Sequence, residues 1–323
     1  MQWQITQNDA DMRLDRFIRR ELGGMPQSAL EKHLRSGRIR VGGRKQKSNY
    51  RLQSGDEVSA ADMLARSADD RAGAAAKPAE PVSEKARRQA ELRLAAIEIC
   101  RTENWIAYNK PSGVAVQGGS GTTQHIDNWL QMLEGERPKL VHRIDKDTSG
   151  LLLVARHDSA ARQLTSDFRD HLISKSYLAV VCGNPGASGV IDASLRKWGE
   201  AGQQKMHVDE KAGLSARTLF IRLELVGSLS LVALQPVTGR THQLRAHMAH
   251  NGTPILGDGK YGGGHAHHDG FASRLHLHAQ FLSLADGTMI TAPLSEHMAE
   301  TLDRLGCSSA VPQTMPSFKK MML

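Results

Sequence analysis

The run Val141-His142-Arg143-Ile144-Asp145-Lys146-Asp147-Thr148-Ser149-Gly150 packs charged and hydroxylic side chains directly ahead of the apolar stretch Leu151-Leu152-Leu153-Val154-Ala155. A polar loop feeding straight into a buried strand holds its side chains at a sheet edge, on rigid backbone. Ordinary solvent-facing turns do not need this composition. Asp145, two residues after Arg143, is therefore read as a site carboxylate, suited to act on a bound substrate.

Three further segments carry chemistry-bearing residues. Asn109-Lys110-Pro111-Ser112-Gly113 leads into Gln117-Gly118-Gly119-Ser120-Gly121-Thr122. Glycine-rich loops suit phosphate, but no Lys-Ser or Lys-Thr follows the glycines as a P-loop requires, which sets nucleotide hydrolysis aside. Lys175-Ser176-Tyr177 opens a strand and could place a phenol beside the site. In Thr238-Gly239-Arg240-Thr241-His242-Gln243-Leu244-Arg245-Ala246-His247, Gly239 allows a tight turn and Thr241 is expected to cap a helix. His242 and His247 are five apart, which does not align them on one helix face, and His265, His267 and His268 fall in a loop-like stretch. With no H-E-x-x-H pattern, neither a metal nor a cofactor is expected. Ser149 lacks the G-x-S-x-G elbow of a nucleophilic serine.

The elements that must position these groups follow from pattern. At 323 residues the chain is long enough for two domains. Leu14, Phe17, Ile18 and Leu22 mark one helix ended by Gly23-Gly24, and Pro26 opens a second with Leu30 and Leu34. Arg38-Ile39-Arg40-Val41 then alternates, with Gly42-Gly43 offering a hairpin turn. Residues 61–96, rich in Ala and charge, are expected to be a linker. Beyond it, strands are expected near 97–99, 105–108, 151–155, 177–182, 217–225 and 229–234, the last two joined at Gly227-Ser228. Helices are expected near 158–172 and 241–250. The fold class is α+β: a mixed, largely antiparallel sheet with flanking helices over 97–300, a small N-terminal α/β module over 1–60, and a loose tail over 301–323.

Charge is unevenly spread. Lys plus Arg number 42 against 34 acidic residues, a net +8 that suits a polyanionic partner. Residues 1–60 hold twelve basic and seven acidic groups, so five of those eight charges lie there. Lys32, Arg35, Arg38, Arg40, Arg44, Lys45 and Lys47 cluster with few acidic neighbours and form a candidate phosphate-facing edge. Cys100, Cys182 and Cys307 are far apart and form no C-x-x-C pair, as expected of reduced thiols. No apolar run is long enough to span a membrane, and the first twelve residues are unlike a targeting peptide. The expected setting is the cytoplasm, as a monomer.

Taken together, these motifs resemble the RluA-type pseudouridine synthases. The hallmark H-R-L-D-x-x-T-S-G is met from His142 to Gly150, with Ile144 in place of Leu. Lys-Pro-Ser-Gly at 110–113, Lys-x-Tyr at 175–177, Gly-Arg-Thr-His-Gln-Leu-Arg-x-His at 239–247 and Leu-Gly-Asp-x-x-Tyr-Gly at 256–262 also match, in order, over 97–290. Residues 13–59 resemble the S-four-type (alpha-L) RNA-binding domain. With that module and Ala115-Val116-Gln117-Gly118-Gly119-Ser120-Gly121, the chain looks most like members acting on large-subunit ribosomal RNA.

The resemblance implies a uridine isomerase working on structured RNA, either large-subunit rRNA or a ribosome precursor, through base flipping. Asp145 would attack covalently or assist departure of uracil. Arg240 would pair with that carboxylate and orient it, with Arg245 second. Tyr177 would stack on the base and help remove the C5 proton, and Leu244 would wall the pocket. Arg143 would enter the space left by the flipped base. His142 is either a helper there or a structural residue of the loop. Two alternatives remain at this stage: a non-catalytic RNA-binding or ribosome-assembly factor, and the same chemistry on tRNA.

Overall fold

The computed structural model describes residues 1–22, 25, 27–61, 83–118, 124–133, 137–199 and 204–318. The expected Gly23-Gly24 stop, Pro26, the Gly119-Ser120-Gly121-Thr122 loop and most of the linker lie outside the described residues. Two compact units divide the chain, Met1–Val82 and Ser83–Leu323.

The first unit runs β1 (Gln2–Gln4), α1 (Leu14–Glu21), α2 (Gln27–Ser36), β2 (Ile39–Val41) and β3 (Glu57–Ala60). Leu14, Phe17 and Ile18 line one stripe of α1 and pack on Leu30, Leu34, Ile39, Val41 and Val58. Strand β3 lies between β1 and β2, antiparallel to both. The glycine turn at 42–43 closes only a Val41–Arg44 bridge; the ladder partner of β2 is β3, more than a dozen residues on. All seven predicted RNA-facing cations are exposed. Acidic residues of this unit pair elsewhere: Asp15 with Arg13, Asp9 with Arg20 and Asp11 with Arg51.

The second unit is built on a ten-stranded sheet in the order β4 (Glu98–Arg101), β5 (Trp105–Lys110), β7 (Ser149–Ala155), β14 (Leu277–Ser283), β8 (Ser174–Cys182), β13 (Leu229–Pro236), β12 (Arg217–Val226), β9 (Ser188–Asp192). Short strands β6 (Lys139–Leu140) and β15 (Met289–Thr291) pair with β7 and β14. Every pairing is antiparallel except β7 with β14, at the centre. Strand β7 is buried at all seven positions, which explains its unbroken apolar run. Burying each leucine of Leu151–Leu153 contributes about 1.5–3 kcal/mol. Separate from the main sheet, β10 (Leu195–Trp198) and β11 (Lys205–Val208) form a two-stranded ribbon.

Helices α4 (Ile126–Met132) and α5 (Asp158–Arg169) flank one half of the sheet, and α6 (Gln243–His250) and α7 (Glu296–Arg304) the other. Residues 84–96, expected within the linker, form most of helix α3 (Glu84–Ile97). Ser83 caps it, accepting from the Ala86 N–H, and Ala90 and Leu94, one turn apart, are buried in the core. Two small apolar contacts suffice to dock a helix whose composition reads as solvent-exposed. The expected tail is likewise tied down. Thr301 and Leu302 are buried in α7, and Phe318 is buried against Leu219 and Ala233. A single aromatic anchor carries no periodicity to read.

Strand β14 was absent from the sequence expectations although it sits beside β7. Its approach, His276-Leu277-His278, reads as polar, yet both histidines are fully buried and held neutral. Burial pushes each of their pKa values down to about 4.

Candidate active site

Chain segments from both halves of the sheet brace the loop that precedes β7. Lys110, fully buried, donates from Nζ to the carbonyls of Pro111, Val114 and Lys146 at 2.8, 2.8 and 2.9 Å. Ser112 Oγ donates to the Asp147 carbonyl at 2.7 Å, and the Gly113 N–H to that of Lys146. The Lys-Pro-Ser-Gly motif is thus a brace under the loop rather than a phosphate cradle. Burial lowers the Lys110 pKa to about 7, against the pull of Asp147 and Asp145. At the loop's far end, Ser149 Oγ lies 2.9 Å from His278 Nδ1 and 3.2 Å from Ser295 Oγ.

One cavity of about 320 Å³ opens beside this loop, near the lower limit of roughly 300 Å³ for small-molecule sites. All seven residues predicted for the catalytic domain line it: His142, Arg143, Asp145, Tyr177, Arg240, Leu244 and Arg245. Sequence reasoning missed Lys175, Phe168 and His242, which line it too. Lys175 and Tyr177 alternate with buried Ser176 along β8, so both face the cavity.

Burial first, and the nearby Asp145 charge second, push the Tyr177 phenol well above its ordinary range. A phenol held that way stays protonated, which suits stacking and hydrogen bonding and works against service as a base for the C5 proton. Burial lowers the Lys175 ammonium from its usual value; its Nζ stands 6.0 Å over the Phe168 ring centroid. His142 proves to be a structural residue of the loop. Its Nε2 accepts from the Leu153 N–H at 2.8 Å and its ring stacks on Phe168 at 4.5 Å. Burial, with Lys175 adding, drives its pKa to about 3, so the ring is neutral.

The two arginines do not occupy the expected places. Arg240, first choice as the partner of Asp145, is exposed and donates from Nε to the Ser215 carbonyl at 3.0 Å. Arg245 is buried and bound bidentately to Asp258, at 2.8 and 2.7 Å. It lies near enough to Asp145 that the carboxylate adds to the raising of its pKa, though burial is the largest influence and opposes it. Among the described residues, the cation-capable group in ion-pair range of Asp145 is His242, with Nε2 3.9 Å from Oδ1.

The turn that delivers these groups also differs from expectation. Thr241 does not cap α6; the N-cap is His242, in left-handed backbone with φ 49° and ψ 24° and no side-chain cap bond. Gln243 organises the turn instead. Its Oε1 accepts from the Arg240 N–H and from Thr238 Oγ1, while its Nε2 donates to the Arg217 carbonyl and Thr218 Oγ1. Leu244, buried, forms part of the cavity wall as expected.

No group of three or more His, Cys, Asp or Glu among the described residues is arranged to hold a metal ion. Cys100 is exposed, Cys182 and Cys307 buried, and all three are free thiols. Among the described residues no helix is long and apolar enough to cross a membrane.

Comparison with known proteins bears directly on this geometry. Residues 104–250 match the family "RNA pseudouridylate synthase", and residues 12–58 match the S4 domain. Ribosomal large subunit pseudouridine synthase C of Vibrio cholerae is 35% identical over 317 residues, 93% of this chain and 95% of that one. The protein of the same name from Escherichia coli K12 is 34% identical over 315 residues, with 93% and 95% covered. Among solved structures, human RNA Pseudouridylate Synthase Domain Containing 4 superposes with a TM-score of 0.56 at 26% identity, covering 68% of this chain and 96% of that one.

Proposed function

The chain belongs to the RNA pseudouridylate synthase family and is an isomerase, and from that premise we propose that it converts specific uridines of large-subunit ribosomal RNA to pseudouridine. The observation that carries the reading is the placement of Asp145. It stands one-fifth exposed in a cavity walled by Tyr177, Leu244 and Arg245. Near-full-length similarity to relatives named for the large ribosomal subunit supports the choice of substrate. The basic N-terminal module, of a kind found in RNA-binding proteins, supports it as well.

The reaction breaks the N1–C1′ bond, turns the base and joins C5 to C1′; N1 gains a proton and C5 loses one. No electrons are exchanged with another molecule. A uridine inside folded RNA must leave its stack to reach the cavity. Arg143, exposed at the mouth, would take the vacated space, where a flat guanidinium stacks and binds phosphate. Tyr177 would stack on the flipped base as a neutral phenol, and Leu244 would close the apolar side. Asp145 would then act on the sugar or base during glycosidic cleavage. Arg245, fixed by Asp258, would supply positive charge from the wall, while Arg240, exposed at the rim, would meet phosphate. Lys32, Arg35, Arg38, Arg40, Arg44, Lys45 and Lys47 would add sequence-independent affinity through the backbone. A single copy carries every element of this reading.

The substrate assignment is tested by incubating the protein with unmodified transcripts of large-subunit rRNA and, separately, of tRNA, then mapping pseudouridines chemically. Modification of a few discrete uridines in the rRNA alone is expected. Modification confined to tRNA would overturn the assignment while leaving the chemistry intact.

A further inference from the structure

His242 has an unusual position for a residue with no assigned part in the reaction. It is one of three non-glycine residues with positive φ among those described, and a bulky side chain held in left-handed backbone marks a place where the surroundings impose the conformation. The imposed geometry points the ring between two partners. Nδ1 lies 2.9 Å from the Tyr261 hydroxyl, and Nε2 lies 3.9 Å from Asp145 Oδ1.

The hydrogen-bond directions fix the tautomer. The Met206 backbone N–H, on β11, donates to the Tyr261 oxygen at 3.0 Å. A backbone N–H can only donate, so the hydroxyl accepts there and keeps its own proton for Nδ1. Nδ1 is then the acceptor, and the ring proton must reside on Nε2, facing the carboxylate. Tyr261 is itself held: its ring lies under the Arg245 guanidinium at 5.2 Å, and its N–H donates to Asp258. The same Arg245–Asp258 pair that walls the cavity thus steadies the lock.

We propose that His242 is the positioning residue of Asp145, with its Nε2–H directed at the carboxylate by the Met206–Tyr261 lock. The proposal rests on the reading of Asp145 as the reacting carboxylate. Burial holds the imidazole below its usual pKa; Arg245 and Lys260 act in the same sense, while Asp145 and Asp258 oppose it. A neutral donor orients a carboxylate without quenching it as a full ion pair would. The 3.9 Å separation is longer than a hydrogen bond, and contacts of this kind tighten when substrate completes the site.

The test uses single-turnover rates at saturating rRNA, RNA dissociation constants, and ¹⁵N spectra of ring-labelled histidine. His242→Asn suits left-handed backbone and can still reach Tyr261, but is too short to donate to Asp145. It should slow the chemical step about tenfold to a hundredfold, the worth of a hydrogen bond to a charged group, with RNA affinity unchanged. His242→Gln places an amide N–H near the original Nε2 and should recover most of that loss. Tyr261→Phe should release the tautomer, mixing the two forms in the spectrum, and slow the step less than His242→Asn. Three results would overturn the proposal: His242→Asn at the wild-type rate while Asp145→Asn is inactive, Gln failing to rescue, or a wild-type His242 protonated on Nδ1. An active Asp145→Asn would instead remove the reading beneath it.

Discussion

A Cβ added to Gly150 would lie 2.3 Å from the carbonyl oxygen of Ala279. The two residues are register partners in the one parallel pairing of the main sheet, and Gly150 adopts φ 104° there. The last glycine of the signature loop is therefore what lets β7 and β14 meet, with Asp145 five residues upstream.

Gly150→Ala combines a backbone clash with a strained conformation, and should destabilise the protein by about 3 kcal/mol or more. Thermal unfolding measures it. Any folded fraction should turn over poorly, because separating the strands shifts the loop. A variant with wild-type melting temperature and full activity would show that the junction relaxes freely.

Arg245 and Asp258 form a buried bidentate pair, so removing one partner strands the other charge. Asp258→Asn or Arg245→Met should each cost about 3–5 kcal/mol in chemical denaturation. The double variant should cost less than the sum, with coupling above about 1 kcal/mol. Strict additivity would mean the two groups are stabilised independently.

Acid sensitivity follows from the neutral buried histidines. The folded pKa values of His142, His276 and His278 are pushed down to about 3, 4 and 4, below their ordinary value. The unfolded chain therefore binds more protons between those values and about pH 6.5, so stability is full above that pH and falls as pH drops through the window. Each histidine contributes a slope of up to about 1.4 kcal/mol per pH unit. Replacing His278 with Gln should cost stability at neutral pH yet make the acid loss shallower. An unchanged slope would count against burial as its cause.

Arg35, Lys45 and Lys47 line one groove of the N-terminal unit with Tyr50. Changing all three to Gln should weaken RNA binding and flatten its dependence on salt by about two units of log–log slope, at roughly 0.7 per structured-RNA phosphate lost. Rates at saturating RNA should not move. An unaltered salt slope would mark the groove as an ordinary solvated face.

Much of this was legible in the sequence, and the rest was hidden for physical reasons. The loop around Asp145, the strand placing Tyr177 and the wall at Leu244 follow from local composition and motif order. Helix α3 went unread because only Ala90 and Leu94 dock it, and β14 because His276 and His278 look polar until their partners are known. Arg240 was favoured over Arg245 for Asp145; the Ser215 carbonyl and Asp258 that claim the two guanidiniums are far from obvious in sequence. His242 was weighed only as a metal ligand, since its partners Asp145, Met206 and Tyr261 come from three distant segments.

The central claim, that Asp145 performs uridine isomerisation, is tested most directly with unmodified large-subunit rRNA carrying tritium at uracil C5. Wild-type protein should release tritium to water. Asp145→Asn should bind the RNA with near-normal affinity and release none. Release by both proteins, or parallel loss of binding and release in the variant, would contradict the account.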